Sequence, residues 1–133
     1  MSNLQMSLIG KWFEMTKEGI KTEDYRELSA YWCKRFLKKV NIVPDLNFDW
    51  QDVEDFFHYK NDMSEIEWYL KHEDLEFKQF DFNIMTLGYP KSTDISRILK
   101  LEHKGIEIGY GKQDWGAEPN KLYFIIKHGE IIK

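Results

Sequence analysis

The spacing of apolar residues changes along the chain, from a helical period in the first half to a strand-like alternation in the second. Helical spacing recurs in residues 11–18, 29–39, 50–57 and 64–70. Strand-like patterns occur in residues 5–9, 76–85, 95–110 and 122–127, and residues 129–132 add one more short pairing. Helices that come early and strands that come late predict an α+β fold and a small mixed β-barrel with flanking helices.

Local signals predict where several of these elements begin and end. Ser29 is placed to cap the second helix, and Ser64 with Glu67 matches a capping box for the fourth. Residues 41–49 and 114–121 are predicted to be loops, and residues 88–90 a turn. Gly105 is expected to mark a bulge or bend in the long strand pattern.

Composition restricts the class of protein. A length of 133 residues with 42% hydrophobic and 32% charged residues fits one globular domain. No apolar run approaches the roughly 20 residues needed to cross a bilayer, and no export signal is visible, so no membrane association is expected. The single cysteine, Cys33, suits a reducing cytoplasm and is expected to be buried and inert.

Charge is distributed unevenly, although the net charge is only −4. Residues 11–39 contain eight basic and five acidic residues, whereas residues 40–80 contain three basic and eleven acidic residues. A negative total argues against a general nucleic-acid coat, but the N-terminal third retains a positive balance. The acidic segment, residues 40–80, is therefore interpreted as an addition to a structural unit that the N-terminal and C-terminal parts of the chain form together.

Residues 19–26 are the most distinctive polar stretch. Gly19 stands where a helix would need a left-handed C-terminal residue. Four charged groups follow within six residues, between flanks rich in Trp and Phe, which is typical of a polar site in an apolar frame. The alternative is a charged edge strand, a common device against aggregation.

Short motifs at both ends of the chain occur in a familiar order. They are Trp12-Phe13-x-Met15, Gly19-x-Lys21, Glu23-Asp24-Tyr25-Arg26-Glu27, Tyr31-Trp32, Lys34-Arg35, Phe80-Asp81, Gly88-Tyr89, Gly109-Tyr110-Gly111, Trp115-Gly116-Ala117-Glu118-Pro119, Tyr123-Phe124-Ile125-Ile126-Lys127 and Gly129-Glu130-Ile131-Ile132. Together they resemble an ASCH domain (activating signal cointegrator homology) over residues 8–36 and 78–133. Residues 37–77 show no such match and are predicted to be an insertion in a single domain.

The resemblance implies a PUA-like barrel with a cleft beside the motif strand, and it implies binding of RNA or a modified nucleotide. One branch of such proteins hydrolyses acetylcytidine with the lysine and threonine of a Gly-x-Lys-x-x-Thr-x-Arg motif and a separate glutamate. Gly19, Lys21 and Arg26 match that motif, but Asp24 occupies the threonine position. Thr22 is two residues away and, on a strand, would share the face of Asp24. Asp24 could orient a water or form a structural ion pair.

Further candidates lie outside this motif. Glu118 is the first candidate for the separate glutamate and Glu107 the second. Trp115 could stack on a base, or anchor its loop in the barrel. Lys34 and Arg35 could bind along a nucleic-acid backbone, or form the solvent-exposed side of a helix.

Metals and cofactors are not expected. The four histidines are far apart in sequence and no HExxH or CxxC motif occurs, so no metal site is predicted. No glycine pattern for phosphate or dinucleotide binding is present, so no cofactor is predicted.

Three functions remain open. The first is a binding module that holds RNA or a modified nucleotide in a cleft near Lys21, Asp24, Arg26 and Glu118. Its binding residues would be Gly19, Lys21, Arg26, Lys34, Arg35 and Trp115. The second is an amidohydrolase or nuclease of the same fold that uses Lys21, Asp24 and Glu118. The third is a protein-interaction domain whose contact surface is the acidic insert, residues 45–76.

Overall fold

Helices and strands are interleaved so that both ends of the chain enter one sheet. The computed structural model describes residues 2–40, 48–60 and 62–132. The strands are β1 (Ser2–Leu8), β2 (Glu23–Arg26), β3 (Leu37–Lys39), β4 (Leu75–Phe77), β5 (Phe80–Leu87), β6 (Ile98–Tyr110) and β7 (Leu122–Ile131). The helices are α1 (Gly10–Lys17), α2 (Ala30–Phe36), α3 (Trp50–Tyr59) and α4 (Met63–His72). The α+β class predicted from the sequence is confirmed.

Five strands form one sheet in the order β1-β5-β6-β7-β2, and β3 pairs with β4 in a separate two-stranded sheet. β1 runs parallel to β5, and β5 runs antiparallel to β6. The long β5–β6 pairing places Asn83 opposite Leu101 and Met85 opposite Leu99. The PUA-like identity of this sheet stays a prediction.

The chain divides into two compact units. The first unit comprises Met1–Asp24, Gln79–Gly105 and Ile126–Lys133, and the second comprises Tyr25–Lys78 and Ile106–Ile125. The predicted insertion, residues 37–77, therefore falls within the second unit, together with flanking residues that resemble the ASCH pattern. The core of the first unit contains Leu4, Met6, Phe13, Met85 and Ile126, all nearly inaccessible to solvent.

The core of the second unit is aromatic. Phe124 lies at its centre and contacts Phe36, Phe57 and Phe77 edge-on, at centroid distances of 5.2, 6.4 and 6.2 Å. Cys33 is buried in this unit, and desolvation raises the pKa of its thiol to about 12, so burial of this cysteine is confirmed.

Several sequence-based boundaries are wrong. The second helix ends at Phe36, three residues before the predicted end, because residues 37–39 pair with residues 75–77 in a small antiparallel sheet. Residues 76–85 form two strands, β4 and β5, instead of one. The fourth helix is capped by Asp62, whose carboxylate accepts from the Ser64 amide at 2.9 Å, and not by Ser64. Most of the predicted loop at 41–49 lies outside the described residues.

Candidate functional sites: a buried polar network and a basic aromatic patch

The end of α1 determines where Lys21 enters the fold. Gly19 has φ +77°, as its position predicted, and its backbone conformation suits glycine because it lies in the left-handed region. The amides of Ile20 and Lys21 then donate to the carbonyl of Met15, at 3.0 and 3.1 Å. These two bonds turn the chain sharply and bring Lys21 back against the helix, where its side chain is buried.

Lys21 and Asp24 form a buried ion pair. The Nζ atom of Lys21 lies 3.0 Å from Oδ1 of Asp24 and 2.6 Å from the carbonyl oxygen of Glu23. The two side chains are only 1% and 8% exposed. The ring of Trp12 lies 5.9 Å from the same ammonium group. The structural ion pair considered for Asp24 is therefore present, and it brings together two of the three predicted catalytic residues.

Thr22 is placed differently from Asp24. Strand β2 begins at Glu23, so Thr22 precedes the strand and the alternation expected for it does not apply. Its side chain is exposed, whereas Asp24 is buried. The sequence-based expectation that the two share a face is wrong, and Thr22 contributes its backbone carbonyl, which accepts from the amide of His128 at 2.9 Å.

A second set of polar groups lies in the same unit and joins residues that are far apart in sequence. The side chain of Asn83, which is fully buried, lies 2.7 Å from Nδ1 of His128 and 2.7 Å from Nδ1 of His103. Its Nδ2 atom also donates to the carbonyl of Lys127 at 3.2 Å. We refer to Lys21, Asp24, Asn83, His103 and His128 as the buried polar network.

These contacts determine the tautomers of both histidines. A backbone carbonyl can only accept, so the Asn83 atom facing Lys127 must be the amide nitrogen. That nitrogen also donates to Nδ1 of His128, which leaves the proton of this neutral imidazole on Nε2. The Asn83 oxygen accepts from the remaining neighbour, so His103 carries its proton on Nδ1.

Electrostatics keep His128 neutral. Burial, as the largest cause, lowers its pKa to about 4, and Lys21 and His103 act in the same direction while Asp24 opposes them. Its Nε2 atom is buried and has no hydrogen-bond partner among the described residues. Burial also lowers the pKa of His103. The network therefore contains one ion pair and two neutral imidazoles at neutral pH.

Sequence reasoning missed this cluster. In the sequence the histidines look isolated because 25 residues separate His103 from His128, and Asn83 lies in no recognisable motif. Only strand pairing brings these positions together, and the local sequence contains no motif that could have revealed them.

The second unit presents a different site on α2. The hydroxyl of Ser29 accepts from the amide of Trp32 at 3.3 Å, so the predicted cap is confirmed. The guanidinium carbons of Arg26 and Arg35 lie 5.0 and 5.2 Å from the centroid of the Trp32 ring. Phe36 stacks on the same ring at 5.2 Å, with an interplanar angle of 19°.

Positive groups surround this aromatic cluster. Lys34 is exposed, and its backbone carbonyl accepts from Nζ of Lys78 at 2.9 Å. Burial lowers the pKa of Lys78, and the charges of Arg35 and Lys34 lower it further. The three cations thus act on one another. We refer to Arg26, Tyr31, Trp32, Lys34, Arg35 and Lys78 as the basic aromatic patch, of which sequence reasoning missed Lys78.

The remaining predicted residues also lie in the second unit. Glu118 is exposed and lies 3.8 Å from Lys121, and its amide donates to the hydroxyl of Tyr123 at 3.0 Å. Glu107 is exposed on β6. Trp115 is half-buried, with Nζ of Lys112 4.3 Å from its ring centroid. Because Lys21 and Asp24 belong to the first unit, a catalytic site shared with Glu118 stays a prediction.

A cavity of about 650 Å³ in the second unit is predominantly acidic. Its walls include the carboxylates of Glu27, Glu54 and Asp55, and the ammonium group of Lys121 lies 3.0 Å from Glu27. Carboxylates repel phosphate groups, so this cavity is not suited to binding a nucleotide phosphate.

Comparisons of the chain with protein-family models, curated proteins and solved structures give no significant match. Over the described ranges 2–40, 48–60 and 62–132, no group of three or more His, Cys, Asp or Glu side chains is arranged to hold a metal ion. In that same part of the chain, no helix has the length and apolar character needed to span a membrane.

Proposed function

We propose that the protein binds RNA or a modified nucleotide, and that the basic aromatic patch supplies the contacts. The observation that carries this proposal is the exposed ring of Tyr31, which lies 5.9 Å from the guanidinium carbon of Arg35 on the same short helix as Lys34. Nucleic-acid surfaces combine cations for the phosphates with aromatic side chains for the bases, and this patch contains both within one short helix and its neighbours. The resemblance to ASCH domains supports the same function.

The charge around the patch also supports a polyanionic ligand. The charges of Arg35 and Lys34 lower the pKa of Lys78, so three like charges act on one another at this surface. Bringing like charges together is unfavourable until an anion neutralises them. A phosphate backbone would relieve this repulsion, and binding would release its counterions.

Fluorescence anisotropy with a labelled 12-nucleotide RNA tests the proposal at several salt concentrations. We expect Arg35→Gln and Lys34→Gln to weaken binding, and each variant to reduce the slope of log K against log salt by about one. Lys71→Gln is the matched control, because it removes one exposed charge from α4 in the same unit. No RNA binding by the wild type, or an equal loss in Lys71→Gln, would contradict the proposal.

Hydrolysis is the second candidate function, favoured by one observation in the first unit. An ammonium group, a carboxylate and a neutral imidazole interact electrostatically within a single buried network. Such groups can orient a water or a carbonyl. Incubation with acetylcytidine and chromatographic detection of cytidine and acetate tests it. Turnover abolished in Asp24→Asn, with the folded state retained by circular dichroism, would support an amidohydrolase.

A further inference from the structure

We propose that the basic aromatic patch is selective for single-stranded RNA, with an unpaired base stacked on Tyr31 and the adjoining phosphates bound by Lys34, Arg35 and Lys78. This inference rests on the proposed RNA binding and specifies its substrate. We expect selectivity for single strands because the two aromatic side chains at the start of α2, Tyr31 and Trp32, have different surroundings.

Trp32 serves as a support because its ring already has several neighbours. Phe36 stacks against it at 5.2 Å, and the guanidinium groups of Arg26 and Arg35 lie at 5.0 and 5.2 Å. The edge contact with Tyr31, at 4.8 Å and 81°, then holds the tyrosine ring nearly perpendicular to the indole. Packing on both aromatic and cationic neighbours leaves little of the indole face for a base.

Tyr31 has the opposite character. Its side chain is 62% exposed although it is large and aromatic. Arg35 lies one helical turn later, with Nη1 3.5 Å from the tyrosine hydroxyl and the guanidinium carbon 5.9 Å from the ring centroid. The tyrosine is therefore oriented by Trp32 and Arg35 while much of its surface faces solvent. Such a ring is a stacking platform that lies beside a phosphate-binding group.

An isolated stacking platform discriminates between single strands and duplexes. In A-form RNA the bases are paired and stacked on one another, so their faces cannot reach a protein side chain without unstacking. An unpaired base carries no such penalty, and stacking on an aromatic ring tolerates any base. Phosphate contacts alone, by contrast, do not distinguish the two forms. Selectivity should therefore depend on Tyr31, and overall affinity on the cations.

Lys78 adds a phosphate-binding group beside the ring of Tyr31. Its ammonium group donates to the carbonyl of Lys34 at 2.9 Å, its one hydrogen bond among the described residues, so two of its three N–H groups can donate to a ligand. Lys34 and Arg35 act on it electrostatically, so the three cations form one positive surface at the end of α2. An acidic peptide could also bind such a surface by charge, but it would gain nothing from an aromatic platform.

Anisotropy titrations with a labelled 12-nucleotide oligouridylate and with a 12-base-pair RNA duplex test the inference. We expect the wild type to bind the single strand at least tenfold more tightly than the duplex. Tyr31→Ala should weaken single-strand binding about tenfold and leave duplex binding unchanged, because one base stack is lost. Tyr31→Phe is the matched control and should retain the selectivity, since it keeps the ring.

Three outcomes would overturn the inference. The first is equal affinity of the wild type for the two forms, and the second is an equal loss for both forms in Tyr31→Ala. The third is displacement of the single strand by a decaglutamate peptide, at equal charge concentration, as effectively as by unlabelled oligouridylate. Binding of neither RNA form by the wild type would instead contradict the proposed function itself. Circular dichroism of each variant verifies that the exposed substitutions leave the fold intact.

Discussion

The buried polar network and the basic aromatic patch use similar residues in opposite ways. In the network, the side chain of Lys21 is 1% exposed, and its ammonium group lies near Trp12 and 3.0 Å from its counter-charge, Asp24. In the patch, Arg35 lies near Trp32, and the neighbouring cations Lys34 and Lys78 share its sign. An ion pair inside a protein favours one conformation, whereas cations of one sign that are not buried create a positive surface potential that attracts anions.

The largest expected effect comes from breaking the buried pair. Lys21→Met leaves the carboxylate of Asp24 buried without its cation, so we expect the free energy of unfolding to fall by about 3–5 kcal/mol. Urea denaturation followed by circular dichroism measures this loss. Lys17→Met, which removes an exposed lysine of the same unit, is the control and should change stability by less than about 0.5 kcal/mol.

The double variant Lys21→Met/Asp24→Leu sharpens this result. Removing both charges leaves no unpaired buried ion, so we expect the double variant to be more stable than Lys21→Met alone. A double variant that is no more stable than the single one would show that the carboxylate is not the source of the destabilisation.

Acid should weaken the buried network by way of His128. Its pKa is about 4 in the folded protein and 6.5 in its ordinary state, so the unfolded chain binds a proton that the folded protein does not accept. Neutral His128 contributes fully to the free energy of unfolding above pH 6.5. This contribution is lost as the pH falls towards 4, and the loss amounts to about 3 kcal/mol in total. Urea titrations at pH 7, 6, 5 and 4 measure the decline.

His128→Asn isolates the contribution of this imidazole. Its amide oxygen can accept from Asn83 in place of Nδ1, but it cannot be protonated in this range. The variant should therefore lose about 3 kcal/mol less than the wild type between pH 7 and 4. Parallel curves for the two proteins would show that His128 does not titrate as its burial implies.

The smallest expected effect on stability belongs to the patch. Arg35→Gln should change the free energy of unfolding by less than about 1 kcal/mol, because this guanidinium is not buried and contacts between cations and aromatic rings contribute little at such positions. Urea denaturation measures this directly. A loss above 2 kcal/mol would mean that the patch, like the network, stabilises the fold, and it would remove the contrast between the two regions.

Local sequence signals predicted the structure correctly where interactions between neighbouring residues determine the conformation. The helical period of residues 50–57 became α3, the Ser29 cap holds α2, and the conformation of Gly19 is left-handed. These features depend on neighbours within one helical turn. The end of α2 was predicted wrongly because residues 37–39 find strand partners about 38 residues later, and a tertiary pairing overrides helix propensity.

The candidate sites show the same division between features set by neighbouring residues and features set by long-range contacts. Lys21 and Asp24 are three residues apart, and so are Tyr31 and Lys34, so the sequence could present each pair as a candidate. By itself the sequence determined the α+β class, most helix positions and the presence of a charged, aromatic N-terminal region. Only the tertiary structure decided that Lys21 is buried while Arg35 is not, and only strand register joined Asn83 to His103 and His128. The physical reason is that burial and long-range pairing depend on which surfaces the sheet brings together, and no short stretch of chain encodes that alone.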